Sequence, residues 1–217
     1  MLRIGIVAEG KSDWLALEEL MRAVHPDLEF VHLRPDMTLL SRSPHGWRGV
    51  KAWCQQEGAR LETLLSGVQG LPIHLLVIHV DCSMAHNVDA LLPCPPARHT
   101  ADALREVIAQ GWLGRPSLPG FVVLATPSRS TDTWVLASLE PPYSRNQPLE
   151  CDDGAEEELV RRRLLRRRDG EVKKPEAKYR PLAEEMARRL DHVCSLCTEA
   201  ARFREELANA LAALTTF

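Results

Sequence analysis

The chain has little of what marks membrane-spanning, secreted or uniformly basic proteins. Its 217 residues contain no apolar run that approaches the ~18–20 residues of a membrane-spanning helix. Glu9 interrupts the N-terminal MLRIGIVAEG too early for a signal-peptide apolar core. We therefore expect a cytoplasmic protein with no membrane partner. A formal net charge of -3 and a pI near 6.2 argue against a protein that coats nucleic acid, so any nucleic-acid contact should be local.

Cysteines are also sparse and lack the dense spacing of a disulfide framework. In a chain of this length, six scattered cysteines favour reduced thiols over disulfides. Cys194 and Cys197, with His192 nearby, have the spacing of half a zinc site, but no second cysteine pair has ligand spacing. Positions i and i+3 also share a helix face, so we interpret this pair as ordinary helix packing.

What the chain does contain is an alternation of strand-like and helix-like segments. Hydrophobic residues at 45% and charged residues at 26% are ordinary values for a globular domain. The apolar runs at 2–8, 28–35, 73–80 and 119–128 alternate with segments of helical periodicity. This order predicts an α/β fold with a parallel Rossmann-like sheet flanked by helices. The first run, 2–8, has the pattern of a strand buried on both faces. Ligands of such sheets bind beyond the carboxyl ends of the strands.

The helix boundaries follow from capping residues and glycines. Ser12 or Asp13 is expected to cap the first helix, Thr100 or Asp102 a later one, and a residue of 130–132 the helix of STDTWVLASL. The segment 47–68 is predicted to be one helix that ends at Gly67 or Gly70. We place an α/β core at 1–148 and a charged segment with C-terminal helices, packing on that core, at 149–217.

The charged segment contains arginines at 161–163 and 166–168, and the same stretch continues with Lys173, Lys174, Lys178 and Arg180. These cations have the chemistry to contact a phosphate backbone. Alternatively, they belong to a solvated helix and pair with the glutamates at 156–158 about one turn away. We favour the solvated helix because blocks of both signs lie close together.

Two acidic residues fall at matching places, with Glu9 at the end of the first strand and Asp81 at the end of the third. In a parallel sheet with these strands at its centre, both carboxylates would lie at one edge. Carboxylate oxygens, water and substrate phosphate are the usual ligands of Mg²⁺, and such a site can act on a phosphodiester. Gly10 would let the backbone turn sharply. The competing interpretation is that each acid merely caps a helix. His74 and His79, near and in the third strand, are interpreted as packed, hydrogen-bonded histidines.

VAEGKSD, after its apolar strand, resembles the first motif of the Toprim domain, the metal-binding fold of primases, topoisomerases and overcoming-lysogenisation-defect nucleases. Glu9, Gly10 and Asp13 match its residues. The second Toprim motif is a strand that ends in Asp-x-Asp; LLVIHVDCS matches its first acid at Asp81 and has Ser83 at the other position.

Two further segments resemble a bacterial domain-of-unknown-function family of Toprim-like proteins, often encoded beside ATPases in phage-defence loci. RSTDTWVLAS is similar to its Arg/Glu-x-Trp-x-Leu-Ala segment, with Asp132 in place of the usual Glu. CTEAARFREEL is similar to its Cys-x-x-Phe-Arg helix, with one extra residue before Phe203.

The resemblance implies a metal-dependent nuclease that acts on DNA or RNA, uses Mg²⁺ or Mn²⁺, and cooperates with an ATPase partner in anti-phage defence. It assigns Glu9 as general acid or base or metal ligand, and Asp81 as the main metal ligand. Asp13 and Asp132 would be supporting ligands. Further support or phosphate contact would come from Gly10, Lys11, Ser83 and Arg129. Homo-oligomerisation stays open.

Two alternatives remain beside this prediction. Ser83 is a neutral, weaker ligand than the acid of the motif, which favours a catalytically weakened Toprim-like subunit that binds or regulates within an ATPase complex. Gly5-Ile-Val-Ala-Glu-Gly10-Lys11-Ser12 also satisfies the spacing of a phosphate-binding loop. That loop should leave its strand before the first glycine, whereas the chain stays apolar until Glu9.

Overall fold

The computed structural model describes residues 1–34, 45–67, 72–141 and 148–215. Within these residues, a four-stranded parallel sheet has the order β2-β1-β3-β4. Its strands are β1 (Leu2–Val7), β2 (Leu28–Arg34), β3 (Leu75–His79) and β4 (Val122–Ala125). The predicted α/β fold with a parallel sheet is confirmed, and each strand lies within a predicted apolar run. Pro35, the end of the second run, lies outside the described residues.

The helices are connected to the sheet in the predicted alternation, and a short antiparallel hairpin precedes the last three of them. The helices are α1 (Lys11–Val24), α2 (Gly46–Glu57), α3 (Leu61–Ser66), α4 (Arg98–Glu106), α5 (Thr131–Leu139), α6 (Ala155–Arg161), α7 (Glu176–Arg188), α8 (Leu190–Leu196) and α9 (Thr198–Thr215). The hairpin consists of β5 (Arg166–Arg168) and β6 (Glu171–Lys173). A 3₁₀ turn, Cys82–Val88, directly follows the end of β3.

The sheet is buried on both faces because successive side chains of a strand lie on opposite sides. In β3, Leu75 and Val77 belong to one apolar cluster, and Leu76 and Ile78 belong to the other. The first cluster contains residues of α1, α5, α7, α8 and α9, and the second contains residues of α2, α3 and α4. The predicted burial of the first strand on both faces is therefore confirmed for β1, and β3 and β4 are buried in the same way.

The C-terminal helices complete the first of these clusters. Tyr179 of α7 and Phe203 of α9 are fully or almost fully buried in it. The ring of Phe203 stacks on Trp134 of α5 with 6.1 Å between ring centroids. Residues beyond 148 therefore supply part of the hydrophobic core that covers the sheet.

The strand order creates a crevice at the carboxyl ends of β1 and β3. The chain runs from β1 to its neighbour β2, then crosses to β3 on the other side of β1. Consequently α1 packs on one face of the sheet, and α2 and α4 pack on the opposite face. The place where the strand order reverses in this way is called the switch point, and open α/β sheets bind their ligands there.

One segment that was predicted to be a single helix is divided in the structure. Segment 47–68 is not one helix, because a 3₁₀ turn at Gly58–Arg60 separates α2 from α3. A Cβ at Gly58 would lie 2.6 Å from the carbonyl oxygen of Leu113, so close backbone contact accompanies the break. The chain leaves α3 at Gly67, one of the two predicted ends, where φ is 132°. Gly70 lies outside the described residues.

The predicted caps differ similarly. Gly10 is the N-cap of α1, and neither Ser12 nor Asp13 caps it. Gly10 lies in the bend between β1 and α1, and its φ of −154° and ψ of 176° are an extended backbone rather than a left-handed one. Thr100 and Asp102 lie inside α4, which begins at Arg98. Ser130 does occupy the N-cap position of α5, although its side chain makes no capping hydrogen bond.

The prediction of reduced thiols is wrong for one pair, because Cys94 and Cys151 form a disulfide. Their Cα atoms lie 5.6 Å apart, although 57 positions separate them in sequence. The fold brings the loop before α4 against a short turn before α6, a contact that cysteine spacing does not reveal. The remaining cysteines, Cys54, Cys82, Cys194 and Cys197, are free.

Candidate metal centre

Three potential metal ligands meet at the crevice between β1 and β3. Asp13 lies in the first turn of α1, His79 is the last residue of β3, and Asp81 lies two residues beyond it. One ligand atom from each residue lies within 4.8 Å of the other two. In the described part of the chain, this is the one group of three or more such residues that close together.

Glu9 adjoins this group from the end of β1. Its Oε1 accepts a hydrogen bond from the backbone N–H of Asp81 at 2.8 Å. Its Oε2 faces the start of α2, where a Cβ on Gly46 would lie 3.5 Å away. The two strand-end acids predicted from the sequence are therefore in direct contact, through one side chain and one backbone amide.

His79 is fixed in the centre by α5. Its Nε2 lies 2.8 Å from Thr131 Oγ1 and 3.1 Å from Asp81 Oδ1. The backbone N–H of Thr131 donates to the same Asp81 oxygen at 3.1 Å. The His79 Nδ1 atom is buried and has no hydrogen-bond partner among the described residues. The start of α5 thus orients both Asp81 and the imidazole.

The buried acids perturb one another and the histidine. Burial, with the charge of Asp81, raises the pKa of Glu9 to about 8. Burial also raises the pKa of Asp13 to about 6, although His79 opposes the shift. Burial lowers the pKa of His79, but Asp13, Asp81 and Glu9 outweigh it and raise that pKa to about 9. All three groups therefore retain protons more strongly than they would in water.

This chemistry fits a divalent cation. Carboxylate oxygens suit Mg²⁺ and Mn²⁺, and an imidazole suits Zn²⁺, Fe²⁺ and Ni²⁺, so this ligand set has the chemistry for more than one divalent ion. The raised pKa values of Glu9 and Asp13 report negative charge that the buried surroundings do not offset. The partnerless Nδ1 of His79 leaves one imidazole nitrogen without a hydrogen bond. Because ligands must lose their protons to bind metal, an ion and a proton would compete for these residues.

Asp132, the fourth acid predicted to bind metal, is not a member of the group. Its Oδ2 lies 2.5 Å from Lys174 Nζ, and its Oδ1 accepts a hydrogen bond from the Tyr179 hydroxyl at 2.9 Å. Burial raises the pKa of Asp132 above its ordinary value, although the charge of Lys174 opposes this shift. Asp132 is near enough to raise the pKa of Asp13 by its charge, so it adjoins the centre but is already paired.

The predicted phosphate-contact residues have other partners. Lys11 is exposed and forms an ion pair with Glu176 at 2.9 Å. Arg129 Nε lies 3.1 Å from Asp153 Oδ1. Ser83 is exposed in the 3₁₀ turn, where its backbone N–H donates to the Arg129 carbonyl at 3.0 Å. Lys11 and Arg129 therefore contact the C-terminal segment.

Gly10 and the alternative motifs can also be located. A Cβ on Gly10 would lie 3.4 Å from Asp13 Oδ2, so the glycine leaves space beside that carboxylate. Gly5 lies inside β1 and pairs with Val31 and Leu76, which is the strand context that disfavours a phosphate-binding loop. No described metal-ligand group includes Cys194 or Cys197, and His192 contacts the Glu140 carbonyl.

His79 is the residue that sequence reasoning missed as a ligand. It is buried and hydrogen-bonded, as predicted, but it is also part of the metal-ligand group. His74 accepts a hydrogen bond from the backbone N–H of Arg3 at 2.9 Å and lies outside that group. The alternation of side chains along a strand could have revealed it. His79 lies on the same face of β3 as Leu75 and Val77, and this face packs against α1, the helix that contains Asp13.

No protein-family model, curated protein or solved structure matches the chain. Among the described helices, none is long and apolar enough to cross a membrane. The fold and the site together define an α/β protein with a buried Asp-His-Asp group that has the chemistry to hold a metal ion.

Proposed function

We propose that the chain is a divalent-metal-dependent phosphodiesterase that acts on nucleic acid, with Mg²⁺ or Mn²⁺ as its ion. The observation that carries this proposal is the meeting of Glu9, Asp13, His79 and Asp81 at the switch point of the sheet. The Toprim resemblance of VAEGKSD and LLVIHVDCS supports it independently of the geometry. An effector role in anti-phage defence, with an ATPase partner, rests on the resemblance alone.

The role that we propose for each residue follows from its contacts. Asp13, His79 and Asp81 would hold the ion, whose chemistry is to polarise a phosphoryl oxygen and offset its negative charge. Thr131 orients His79 and Asp81 by hydrogen bonds from its side chain and backbone. Glu9 lies beside this group, with its Oε1 on the backbone N–H of Asp81, which suits a general acid or base next to the ion.

The test is cleavage of plasmid DNA and of tRNA in Mg²⁺ or Mn²⁺. Glu9→Gln and Asp81→Asn should each lower the rate by at least about 100-fold, the usual contribution of a positioned acid or base. Glu184→Gln and Asp191→Asn are matched controls, because both residues are exposed and outside the centre. Full activity in both centre variants would refute the site assignment.

A second candidate function is a catalytically weakened subunit that binds or regulates within an ATPase complex. Two observations favour it: the motif position of Ser83 carries no acid, and Asp132 is neutralised by Lys174 rather than left for an ion. This alternative predicts no cleavage by the wild type and no stabilisation by millimolar Mg²⁺ or Mn²⁺. Metal-dependent cleavage that disappears in Asp81→Asn would exclude it.

A further inference from the structure

A basic cleft lies between the β5–β6 hairpin and the start of α7. Its volume is about 880 Å³, and of the ten described residues that line it, seven are arginine or lysine. Residues 161–178 contain nine Lys and Arg against three Asp and Glu, in a chain whose formal net charge is -3. Positive charge is therefore concentrated locally on a protein that is otherwise acidic, as the sequence required of any nucleic-acid contact.

The predicted pairing of these cations with Glu156 to Glu158 is found for some of them. Arg167 forms an ion pair with Glu157, and Lys174 forms one with Glu156. Helix α6 ends at Arg161, and β5 begins at Arg166. Arg161 and Arg162 do pair with Glu158, each at 2.6 Å. By contrast, the side chains of Arg163, Arg166 and Lys178 form no ion pair or hydrogen bond with the described residues, and all three line the cleft.

The hairpin places like charges opposite each other. Arg166 on β5 is the cross-strand partner of Lys173 on β6, and both line the cleft. Like charges directly opposite each other in a sheet are destabilising. The Asp169-Gly170 turn, with φ values of 54° and 80°, nevertheless fixes this register. Lys173 is paired with Glu171 at 2.5 Å, and an anion in the cleft would relieve the repulsion that remains.

The cleft also touches the surroundings of the metal centre. Lys174 lines it and forms the ion pair with Asp132, whose charge reaches Asp13. Lys178, another lining residue, precedes Tyr179, which donates a hydrogen bond to Asp132. A chain of phosphates bound in the cleft would therefore lie next to residues that adjoin the centre.

The lining favours a phosphate backbone over other anionic partners. None of its ten described residues is aromatic, so base stacking is not available as the main contact. The large apolar side chains that the described structure exposes are Met1, Leu91 and Leu92, and none lines the cleft, which disfavours insertion into a lipid surface.

We propose that this cleft binds the phosphate backbone of a nucleic acid with little base specificity, and that Arg163, Arg166 and Lys178 are its main phosphate contacts. The inference rests on the proposed function only in taking the bound nucleic acid as substrate; binding itself does not require catalysis. The chemistry is common to DNA and RNA, so the experiment includes both.

The test measures fluorescence anisotropy of labelled single-stranded DNA, single-stranded RNA and duplex DNA in EDTA, where metal-dependent cleavage is absent. The double variant Arg166→Gln/Lys178→Gln removes two cleft cations. Arg98→Gln/Arg188→Gln is the matched control, because it removes two exposed cations outside the cleft. Arg163 is left unchanged, so that the cleft variant and the control variant each lose two cations.

The cleft variant should bind single strands about tenfold or more weakly at 0.1 M salt, and its log–log salt slope should be shallower by about 1.4. The control should change neither quantity to that extent. Equal losses in both double variants, or wild-type binding to anionic phospholipid vesicles but to no oligonucleotide, would overturn the proposal. Circular dichroism and melting temperature check that both variants are folded.

Cleavage and binding separate the two proposals. If cleft variants bind normally while Glu9→Gln abolishes cleavage, the cleft assignment is wrong and the proposed function stands. If the wild type never cleaves but binds through the cleft, the nuclease proposal is wrong and the binding inference stands.

Discussion

The carboxylate of Glu9 accepts a hydrogen bond from the backbone N–H of Asp81 across 72 positions of sequence. This contact joins the ends of the two central strands, β1 and β3. It also holds one carboxylate beside Asp13, His79 and Asp81, where burial opposes every negative charge. The consequences for metal binding, pH dependence and folding can each be measured.

Divalent ions should raise the melting temperature of the wild type. At 100 times its dissociation constant, an ion that binds only the folded state stabilises it by about 2.7 kcal/mol. In a chain of this length that corresponds to about 5–10 °C. Differential scanning fluorimetry across Mg²⁺ and Mn²⁺ concentrations should show this shift in the wild type and in the control variant Asp191→Asn. The variant Asp13→Asn should show no shift.

His79 should contribute directly to metal affinity. If His79 is a ligand, His79→Gln should lower the affinity for the ion by at least about tenfold, as measured by isothermal titration calorimetry. A higher affinity for the ion in that variant would instead show that His79 is an internal cation that competes with the metal. His74→Gln, which alters a histidine outside the group, is the control.

Without metal, folding stability should fall as the pH rises from about 5 to about 9. The pKa values of Asp13, Glu9 and His79 are raised from 3.8, 4.5 and 6.5 to about 6, 8 and 9. The folded state therefore binds more protons than the unfolded state across that window, and the stability slope with pH is negative. Urea titrations at several pH values in EDTA measure it.

Glu9→Gln should flatten this slope between pH 5 and pH 8, because it removes one of the groups with a raised pKa. Glu184→Gln should leave the slope unchanged. Glu199, whose burial raises its pKa to about 7, contributes with the same sign in every variant. A stability that rises over this pH range in the metal-free wild type would contradict the electrostatic description of the centre.

The Lys174–Asp132 ion pair should show a strong double-mutant coupling. Lys174→Met leaves a buried carboxylate without its cation and should lower the free energy of unfolding by about 1–3 kcal/mol. Asp132→Asn in the same chain removes the charge and should recover part of that loss. If the loss in the double variant equals the sum of the losses in Lys174→Met alone and Asp132→Asn alone, the pair is not coupled.

The disulfide predicts a thiol count and a stability change. Denatured but unreduced protein should give four titratable thiols, because Cys94 and Cys151 are paired. Cys94→Ser/Cys151→Ser should lower the free energy of unfolding by about 2–5 kcal/mol. Six thiols without reductant, together with no loss in the variant, would show that the bridge does not form in solution.

Hydrophobic pattern predicted the architecture because each strand is a short apolar run between helical segments. Residue parity within the strands then determines which side chains face α1, and it places His79 beside Asp13. The predicted acids Glu9, Asp13 and Asp81 lie together for the same reason, since they follow or flank the two central strands. Their roles in binding metal stay predictions.

Other features depend on contacts between distant segments that periodicity cannot show. The break at Gly58 accompanies close backbone contact with Leu113, and the disulfide depends on two loops that meet in space. Asp132 was predicted as a ligand from its local motif, but Lys174 and Tyr179 reach it from the C-terminal segment. The cleft likewise depends on a hairpin folding toward α7.

Lys174 has a further consequence through thermodynamic reciprocity. It contacts Asp132 and also lines the basic cleft. A polyanion that drew Lys174 away would leave more negative charge near Asp13, and the ion would then bind more tightly. By linkage, the ion would strengthen polyanion binding by the same factor. One ion pair would thus make the two affinities cooperative without any change of fold.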